Sequence, residues 1–326
     1  MRGRRAHLPS TLRLAVAALA SAVLSLAPTA DAKEKRSSDA TDLAMPAGAY
    51  EAWRGLSFGS YLAPRTDFVA DDGGVDVVFH FHAGQMAERQ MKQSGTNAVF
   101  VSCGYGIGTG AYTRAFADPH RFGRMLGELL RNLERQTGKK GLRVRHLALA
   151  SWSAGFAAVS RILHVDRYYA MVDAVVLNDS LHSQYKGAGA QQGAPPHGAD
   201  RVDLKMIDSF VRFAKDAAGG RKTMVITHSS IIPPDYASST EATQALLQAI
   251  HVSSSTGGAE SSVAWRGMPV VTRADAGQLH VRGFGGRGPR DHFEHLYLLG
   301  EALSKWVVPS WKQEDRLVYT LASEQL

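Results

Sequence analysis

A serine, an aspartate and a histidine stand at separate places along this 326-residue sequence, each next to an apolar segment. Ser153 lies in SWSAG between two apolar runs, Asp179 ends the run MVDAVVLND, and His292 lies in RGPRDHFEHL near the C-terminus. A serine hydroxyl becomes a good nucleophile when a histidine accepts its proton, an acid orients that histidine and donors stabilise the oxyanion. These residue types therefore predict nucleophilic catalysis by a serine, provided that the fold brings them together.

The residues around Ser153 match a sharp turn between a strand and a helix. The run LRVRHLALA (142–150) predicts a buried strand, and FAAVSRIL (156–163) predicts a helix. A nucleophile on such a crowded turn needs small residues two positions before and after it, where Ser151 and Gly155 stand. The alternative is an ordinary loop serine, but the strand–turn–helix context favours a nucleophile.

Short apolar segments alternate with longer amphipathic ones along the rest of the chain. Predicted strands lie at 75–82, 97–103, 142–150, 171–179 and 222–229, followed by PVVTRAD and QLHVRGF. Predicted helices lie at 118–138, 156–163, 201–217, 239–250 and 292–307. This alternation predicts an α/β fold, with a mostly parallel central sheet and helices on both faces. The carboxyl ends of parallel strands meet at one edge, where we expect the three candidate residues.

From GLSFGSYL (55–62) to the last helix, the sequence resembles the α/β-hydrolase superfamily. SWSAG is similar to the family's G-x-S-x-G nucleophile elbow, with Ser151 in place of the first glycine, and the chain order serine, acid, histidine is the family's. The resemblance implies the α/β-hydrolase fold and a serine hydrolase. Such an enzyme would cleave a carboxylic ester, thioester or amide through a Ser-His-Asp triad and an acyl-enzyme, without a cofactor.

The resemblance also implies where the oxyanion hole should lie. One donor is the backbone N–H of the residue after the nucleophile, here Ala154. The second comes from the loop after an early strand, here HFHAG (80–84), so that it falls at Ala83 or Gly84. In this arrangement His82 shapes the loop. The residues Trp152 and His228 are expected to line the cleft with it.

The base and the acid each have a competitor in the sequence. In the family that the sequence resembles, the base lies next to the start of the last helix, which implies His292, the first residue of the predicted helix 292–307. His295 lies one turn into that helix and is expected to pack or form a hydrogen bond. Asp179 is the preferred acid because it directly follows an apolar strand. Asp235, six residues beyond the following strand, is the alternative, and Glu241 reads as a first-turn helix residue that favours the helix dipole.

Two other kinds of site are weaker alternatives. His80 and His82 lie two residues apart, a spacing that puts ligands on one strand face, but HFHAGQMAE supplies no third ligand. We therefore expect no metal site and a buried, hydrogen-bonded His80. The glycine-rich segment 103–112 lacks the Lys-Ser/Thr pair of a phosphate-binding loop and is expected to form a cleft wall. A non-catalytic binding protein of the cell envelope with the same fold remains the alternative to an enzyme.

The N-terminal segment differs from the rest of the chain. Residues 1–32 combine a basic start, the apolar run LAVAALASAVLSLA and the small-residue sequence ADA, which together predict a cleaved signal peptide. The alternative is an uncleaved anchor, although the run is short for a membrane span. We expect a flexible lead-in at 33–50, a single domain at 51–326 and a cleft-covering loop at 183–200. The mature protein would then be periplasmic or extracellular.

Composition limits the partners. The net charge is +7, and the first 32 residues account for four arginines and one aspartate of that balance. The sequence holds no basic cluster with interleaved aromatic residues, so it gives no reason to expect nucleic-acid binding. The expected partner is a small-molecule, acyl or peptidyl substrate, with no stable membrane insertion after signal cleavage; the oligomeric state does not follow from the sequence. One cysteine, Cys103, excludes an internal disulfide.

Overall fold

The computed structural model describes residues 49–187, 197–257 and 264–313. These residues form eleven strands: β1 (Arg54–Leu56), β2 (Gly59–Leu62), β3 (Gly74–Phe81), β4 (Val99–Cys103), β5 (Arg143–Trp152), β6 (Ala174–Asn178), β7 (Thr223–His228), β8 (Ser255–Thr256), β9 (Ala264–Trp265), β10 (Met268–Ala276) and β11 (Leu279–Phe284). The order across the sheet is β1-β2-β4-β3-β5-β6-β7-β11-β10-β8, with β9 paired to β10. The six strands from β4 to β11 in this order are mutually parallel. Antiparallel pairs lie only towards the two edges of this described sheet.

Nine α-helices accompany these strands in the described ranges. They are α1 (Glu88–Gln93), α2 (Thr109–Ala115), α3 (Arg121–Thr137), α4 (Phe156–Leu163), α5 (Asp166–Met171), α6 (Asp208–Ala218), α7 (Ser239–Ala249), α8 (Pro289–Leu296) and α9 (Leu299–Ala302). A short π-helix at Leu303–Val307, called the π-turn, continues α9. No helix within the described ranges has the length and apolarity needed to cross a membrane.

The sheet separates two hydrophobic clusters. Side chains of α2, α3, α4, α6 and α7 pack on one face, among them Phe122, Leu129 and Phe210. Side chains of α1, α9 and the π-turn pack on the other face, among them Met91 and Leu303. Both faces of the central strands are therefore covered, which explains why their sequences are almost continuously apolar. The predicted α/β fold, with a mostly parallel central sheet and helices on both faces, is confirmed.

Several element bounds differ from the sequence-based expectation. Seven short elements were not predicted, because two to seven residues give too little periodicity to read: β1, β2, β8, β9, α1, α2 and α5. β5 extends two residues beyond 150 and ends at Trp152, so Ser153 follows the strand directly. The last predicted helix begins earlier, at Pro289, and is interrupted after Leu296. Proline is favoured in the first turn of a helix because its missing N–H would have no intrahelical acceptor there.

Three predicted segments lie wholly or partly outside the described residues. The signal peptide (1–32) and most of the lead-in (33–50) lie there, as do residues 188–196 of the expected cleft-covering loop. Tyr50, which the predicted lead-in includes, is part of the packed domain. Its side chain is buried, and its hydroxyl donates a hydrogen bond to the backbone oxygen of Thr96.

Candidate active site

Ser153 occupies a strained turn between the central strand β5 and the helix α4. Its φ of 51° lies in the left-handed region, which costs a non-glycine residue about 1–3 kcal/mol unless its surroundings hold it there. A short 3₁₀ turn, Ser153–Gly155, leads directly into α4. A Cβ at Gly155 would lie 2.1 Å from the backbone oxygen of Phe81, so this position accepts only glycine. The turn thus has the geometry expected of a nucleophile elbow.

Asp179 follows β6 directly and is almost completely buried, with 2% of its surface exposed. Its Oδ1 accepts hydrogen bonds from the Ser229 backbone N–H, at 2.9 Å, and from the Ser239 hydroxyl. Its own backbone N–H donates to the Thr227 oxygen at 2.8 Å. These bonds fix the carboxylate between β6, β7 and α7. They leave Oδ2 free to accept a further donor.

That donor is His292, whose Nδ1 lies 2.7 Å from Asp179 Oδ2. The two residues are 113 positions apart in sequence, and the fold brings them together at the carboxyl edge of the sheet. His292 was expected to be the first residue of the last helix, but it lies three residues after the start of α8, in its first turn. The reason is that α8 begins at Pro289, where Asp291 accepts a hydrogen bond from the Gly288 N–H at 2.8 Å.

Trp152 connects the turn at Ser153 to His292. Its indole Nε1–H donates to the His292 backbone oxygen at 2.8 Å, and its ring centroid lies 4.6 Å from that of the His292 imidazole. The His82 ring stacks on the same indole at 5.2 Å. The position of His292 therefore depends on the residue that immediately precedes Ser153. His82 is partly exposed beside the site. Trp152, which was expected to line the cleft with it, is only 4% exposed and is buried instead.

The Ser153 hydroxyl forms no hydrogen bond with any residue in the described ranges. The serine is partly exposed. Bonds between a nucleophile and its base are often formed only when substrate is present. Ser153 nevertheless follows β5, Asp179 follows the adjacent parallel strand β6, and the His292 imidazole reaches Asp179 from α8.

Burial and neighbouring groups set the protonation of these side chains. Burial would raise the pKa of Asp179, but the imidazoles of His295 and His292 and the hydrogen bonds from His292 and Ser239 hold it well below its usual value. Burial and, to a smaller extent, the nearby His292 together lower the pKa of His82 to about 4. At neutral pH the site thus contains an ionised Asp179 and a neutral His82.

The expected oxyanion donors belong to two turns, one after β5 and one after β3. Ala154 is the second residue of the 3₁₀ turn, so its N–H has no intrahelical acceptor. His82 and Ala83 have φ values of 74° and 56°, which turn the chain sharply after β3. Gly84 begins the next 3₁₀ turn, and a Cβ there would come within 2.8 Å of the Ser102 hydroxyl. His82 Nδ1 lies 2.8 Å from the Tyr112 hydroxyl, which holds this loop against α2.

Three expectations about nearby residues have clear outcomes. His295 is fully buried and bonds through Nδ1 to the Thr227 hydroxyl at 2.8 Å, so it packs and forms a hydrogen bond as expected. Glu241 forms a capping box with Ser238 at the start of α7, as its first-turn position indicated. Asp235 is exposed, and the structure does not bring it to His292.

The expectations for His228 and His80 need correction. His228 does not line the cleft: it is 4% exposed, and Nδ1 bonds to the Thr240 hydroxyl at 2.8 Å. The His228 imidazole fits into this buried position because Gly283, on the neighbouring strand β11, has no side chain and leaves space for the ring. His80 is fully buried as expected, but neither ring nitrogen has a hydrogen-bond partner among the described residues. Burial lowers its pKa to about 3, so it is neutral and packs against Phe100.

The described part of the chain contains no group of three or more His, Cys, Asp or Glu side chains arranged to hold a metal ion. His82 lies beyond the end of β3 and has a positive φ, so it does not continue the strand face of His80. The His82 ring instead stacks on the Trp152 indole and lies within hydrogen-bond distance of the Tyr112 hydroxyl.

The sequence did not reveal several residues that support the site. Ser229 and Ser239 bind the carboxylate, and Ser180 contacts the backbone of Ser153. His182, three residues after Asp179, packs edge-on against Phe156 and is neutral because burial lowers its pKa to about 4. Short polar residues are common at strand ends, so their types alone carried no signal. The pair Asp179-Ser180 directly after an apolar strand was the one available hint.

The indole hydrogen bond can be tested by Trp152→Phe, which keeps an aromatic ring but removes the Nε1–H donor. If His292 is the base, we expect a fall in kcat of about 3–10-fold, because one hydrogen bond contributes about 0.5–1.5 kcal/mol. Trp53→Phe is a matched control, since Trp53 donates a similar bond to Glu88 at 2.7 Å elsewhere in the fold. Steady-state kinetics of both variants give the measurement, and equal effects would contradict a special role for Trp152.

The comparisons with known proteins return solved structures whose similarity to this chain is low. No family model matches this sequence, and no curated protein matches it. Solved structures with a similar fold include a cold-adapted esterase from an Arctic intertidal metagenomic library, at 12% identity and a TM-score of 0.39, covering 76% of this chain and 87% of the esterase. An ester hydrolase from the metagenome of Lake Arreo has 10% identity and a TM-score of 0.41, covering 94% of this chain and 91% of that one.

The acylaminoacyl peptidase of Pyrococcus horikoshii has 11% identity and a TM-score of 0.42 over 79% of this chain. The alignment spans only 41% of that peptidase's length. At these levels of similarity the comparisons carry no assignment of substrate or mechanism. The functional proposal therefore depends on the geometry of the site.

Proposed function

We propose that this protein is a serine hydrolase that cleaves a carboxylic ester, thioester or amide through a covalent acyl-enzyme. Ser153 is the nucleophile, His292 the base and Asp179 the orienting acid. The observation that carries the proposal is the 2.7 Å contact between His292 Nδ1 and the buried Asp179 carboxylate, next to the turn that presents Ser153. A carboxylate in this position holds the proton on Nδ1 and leaves Nε2 free to accept another.

In the first half-reaction, the Ser153 hydroxyl oxygen attacks the substrate carbonyl carbon, and its proton moves to His292 Nε2. The carbonyl oxygen becomes an oxyanion that the backbone N–H of Ala154 and that of Ala83 or Gly84 stabilise. The carbon–leaving-group bond then breaks. The leaving oxygen, sulfur or nitrogen takes the proton from His292, and the acyl group remains on Ser153.

In the second half-reaction, His292 removes a proton from water, and the resulting hydroxide attacks the acyl carbon. Collapse of the second tetrahedral intermediate breaks the bond to the Ser153 oxygen, which recovers its proton from His292. The carboxylic acid product leaves. Asp179 stays ionised throughout, because its role is to stabilise the imidazolium and not to accept its proton.

A substrate panel tests the reaction class directly. The purified protein is given short- and long-chain acyl esters, the matching thioesters, and N-acyl peptides, and release of the free acid is measured. We expect turnover of at least one carboxylic class and progressive inhibition by a fluorophosphonate. Binding without turnover of any acyl compound would favour the non-catalytic envelope protein. Loss of turnover with a chelator would favour a metallohydrolase.

The choice of base is tested by comparing His292→Ala with His295→Ala. Removing the base should lower kcat by about 10²–10⁴-fold, because general-base catalysis contributes about this much. His295→Ala removes a fully buried side chain and its bond to Thr227, so its main effect should be on stability. Kinetics and thermal unfolding are measured for both variants. If His295→Ala lost activity while His292→Ala kept it, His292 would not be the base.

We also propose that the protein is exported and works in the periplasm or outside the cell. The proposal depends on residues 1–32, with their basic start, apolar run and small-residue cleavage sequence. N-terminal sequencing of protein recovered from the exported fraction tests it. A mature chain that begins at Lys33 would support cleavage after Ala32, and an intact Met1 in that fraction would contradict it.

A further inference from the structure

Two buried serine hydroxyls beneath the nucleophile turn are not used in the mechanism above. The Ser180 hydroxyl donates a hydrogen bond to the backbone oxygen of Ser153 at 2.8 Å. The Ser151 hydroxyl oxygen lies 2.8 Å from the Ser180 hydroxyl oxygen. Both serines are 0% exposed, so these bonds have no competition from bulk water.

The direction of this chain of bonds follows from the number of protons. A serine hydroxyl carries one hydrogen, and a backbone carbonyl can only accept. The Ser180 hydrogen must therefore point to Ser153, and Ser151 must donate to Ser180. The chain runs from Ser151 through Ser180 to the Ser153 carbonyl, and both hydroxyl hydrogens are used.

The Ser153 carbonyl belongs to the same peptide unit as the Ala154 N–H. No cis peptide occurs among the described residues, and in a planar trans peptide the C=O and N–H point in opposite directions. A hydrogen bond that fixes the Ser153 oxygen therefore fixes the direction of the Ala154 N–H as well. The hydrogen bond from Ser180 also supports the backbone of Ser153, whose φ of 51° is sparsely populated and needs such support.

We propose that Ser180, supported by Ser151, is a positioning residue that aims the Ala154 N–H at the oxyanion. The inference depends on the proposed serine-hydrolase function and deepens it. The proposal also explains why Ser151 stands at the elbow position where the family that this sequence resembles usually has glycine. A glycine would satisfy the crowded turn but could not donate to Ser180.

The position of Ser180 in the chain strengthens the assignment. It directly follows Asp179, whose backbone N–H is bonded to Thr227 on β7 and whose carboxylate is bonded to His292. Two consecutive residues of one loop thus serve two different parts of the site. Asp179 orients the base, and Ser180 orients an oxyanion donor.

The first test is Ser180→Ala, which removes the hydroxyl with little change in volume. Removal of a whole oxyanion donor lowers kcat by about 10²–10³-fold. Ser180→Ala leaves the Ala154 N–H in place but aims it less well, so the loss of kcat should be smaller. We expect kcat to fall about 10–100-fold while KM changes less than about 3-fold. A trifluoromethyl ketone, which forms a tetrahedral adduct with an active serine, should lose affinity by the same factor as kcat/KM.

The role of Ser151 is tested by a double-mutant cycle. Ser151→Gly should lower kcat less than Ser180→Ala does, because Ser180 can still donate to Ser153 when Ser151 is absent. The double variant should be no worse than Ser180→Ala alone, since both changes act through one bond. Multiplicative losses in the double variant would mean that the two serines act separately.

Ser209→Ala is the matched control. Ser209 and Ser160 form a buried hydroxyl pair at 3.1 Å between α6 and α4, away from the nucleophile turn. This variant should lose stability without losing kcat. If Ser180→Ala does not fold, Ser180→Cys retains the volume with a weaker donor and should show an intermediate kcat.

The outcomes separate the two proposals. If Ser153→Ala abolishes activity but folded Ser180→Ala keeps normal kcat and normal ketone affinity, the positioning role is wrong and the proposed function stands. A fall in kcat with unchanged ketone affinity also overturns it, because the loss would then not arise at the oxyanion. If the wild-type protein hydrolyses no acyl substrate and binds no ketone, both proposals fail.

Discussion

Ser153→Ala is expected to lower kcat by about 10⁶-fold, to the level of the reaction without covalent catalysis. The reason is that no other side chain in the described part of the site offers a hydroxyl at the exposed tip of the β5–α4 turn. Ser151 and Ser180 are also close, but both are fully buried and their hydrogens are already donated. They cannot replace Ser153 as the nucleophile. The measurement is single-turnover and steady-state kinetics on the best substrate from the panel.

The Ser153→Ala variant should keep its fold. Ser153 is partly exposed, and its side chain makes no hydrogen bond with the described residues, so removing the hydroxyl leaves no buried group unpaired. Unchanged circular dichroism and unchanged substrate affinity would show that binding survives. Full activity in this folded variant would rule out the serine-hydrolase mechanism.

Asp179→Asn is expected to lower kcat by about 10³–10⁴-fold, through the tautomer of His292. Oδ1 of residue 179 accepts from both the Ser229 N–H and the Ser239 hydroxyl, so the asparagine oxygen should remain there. The NH₂ group then faces His292 Nδ1. Two donors cannot bond to each other, so Nδ1 must lose its proton and Nε2 must carry it. A protonated Nε2 cannot accept the proton of Ser153.

Asp235→Asn is the control for this prediction. Asp235 was the competing candidate in the sequence, but it is exposed. Its substitution should leave kcat within about 2-fold, because surface changes of this kind usually have small effects. If Asp179→Asn kept near-normal kcat while Asp235→Asn lost activity, the acid would come from the loop after β7.

The sequence predicted the parts of the fold that depend on long apolar periods. The central strands and α3, α4 and α7 lie close to their expected positions, since each has enough apolar residues to define a period. The helix predicted at 201–217 begins later, at Asp208, and short 3₁₀ turns precede it. The sequence did not predict the elements of two to seven residues, which are too short to show a period: β1, β2, β8, β9, α1, α2 and α5. It also shortened β5 by two residues, because Ser151 and Trp152 look like loop residues although both are buried in the strand.

For the site, the sequence predicted the candidate residues but could not predict how they are held. The chain order and the strand ends pointed to Ser153, Asp179 and His292, and the structure places the latter two in contact. The bonds from Trp152 to His292 and from Ser180 to Ser153 join residues that are 140 and 27 positions apart. Such pairings depend on side-chain directions in three dimensions. The same limit explains why His228 was expected in the cleft and was found buried beneath it.

The most direct test of the account is to locate the adduct of a fluorophosphonate on the wild-type protein. Only a serine whose proton is removed by a neighbouring base reacts quickly with such a probe, so the labelled residue identifies the nucleophile. Intact-mass spectrometry followed by peptide mapping is predicted to show one adduct per chain, on Ser153, with labelling strongly slowed in Asp179→Asn. No adduct, or an adduct on another residue with Ser153 unmodified, would contradict the proposed mechanism.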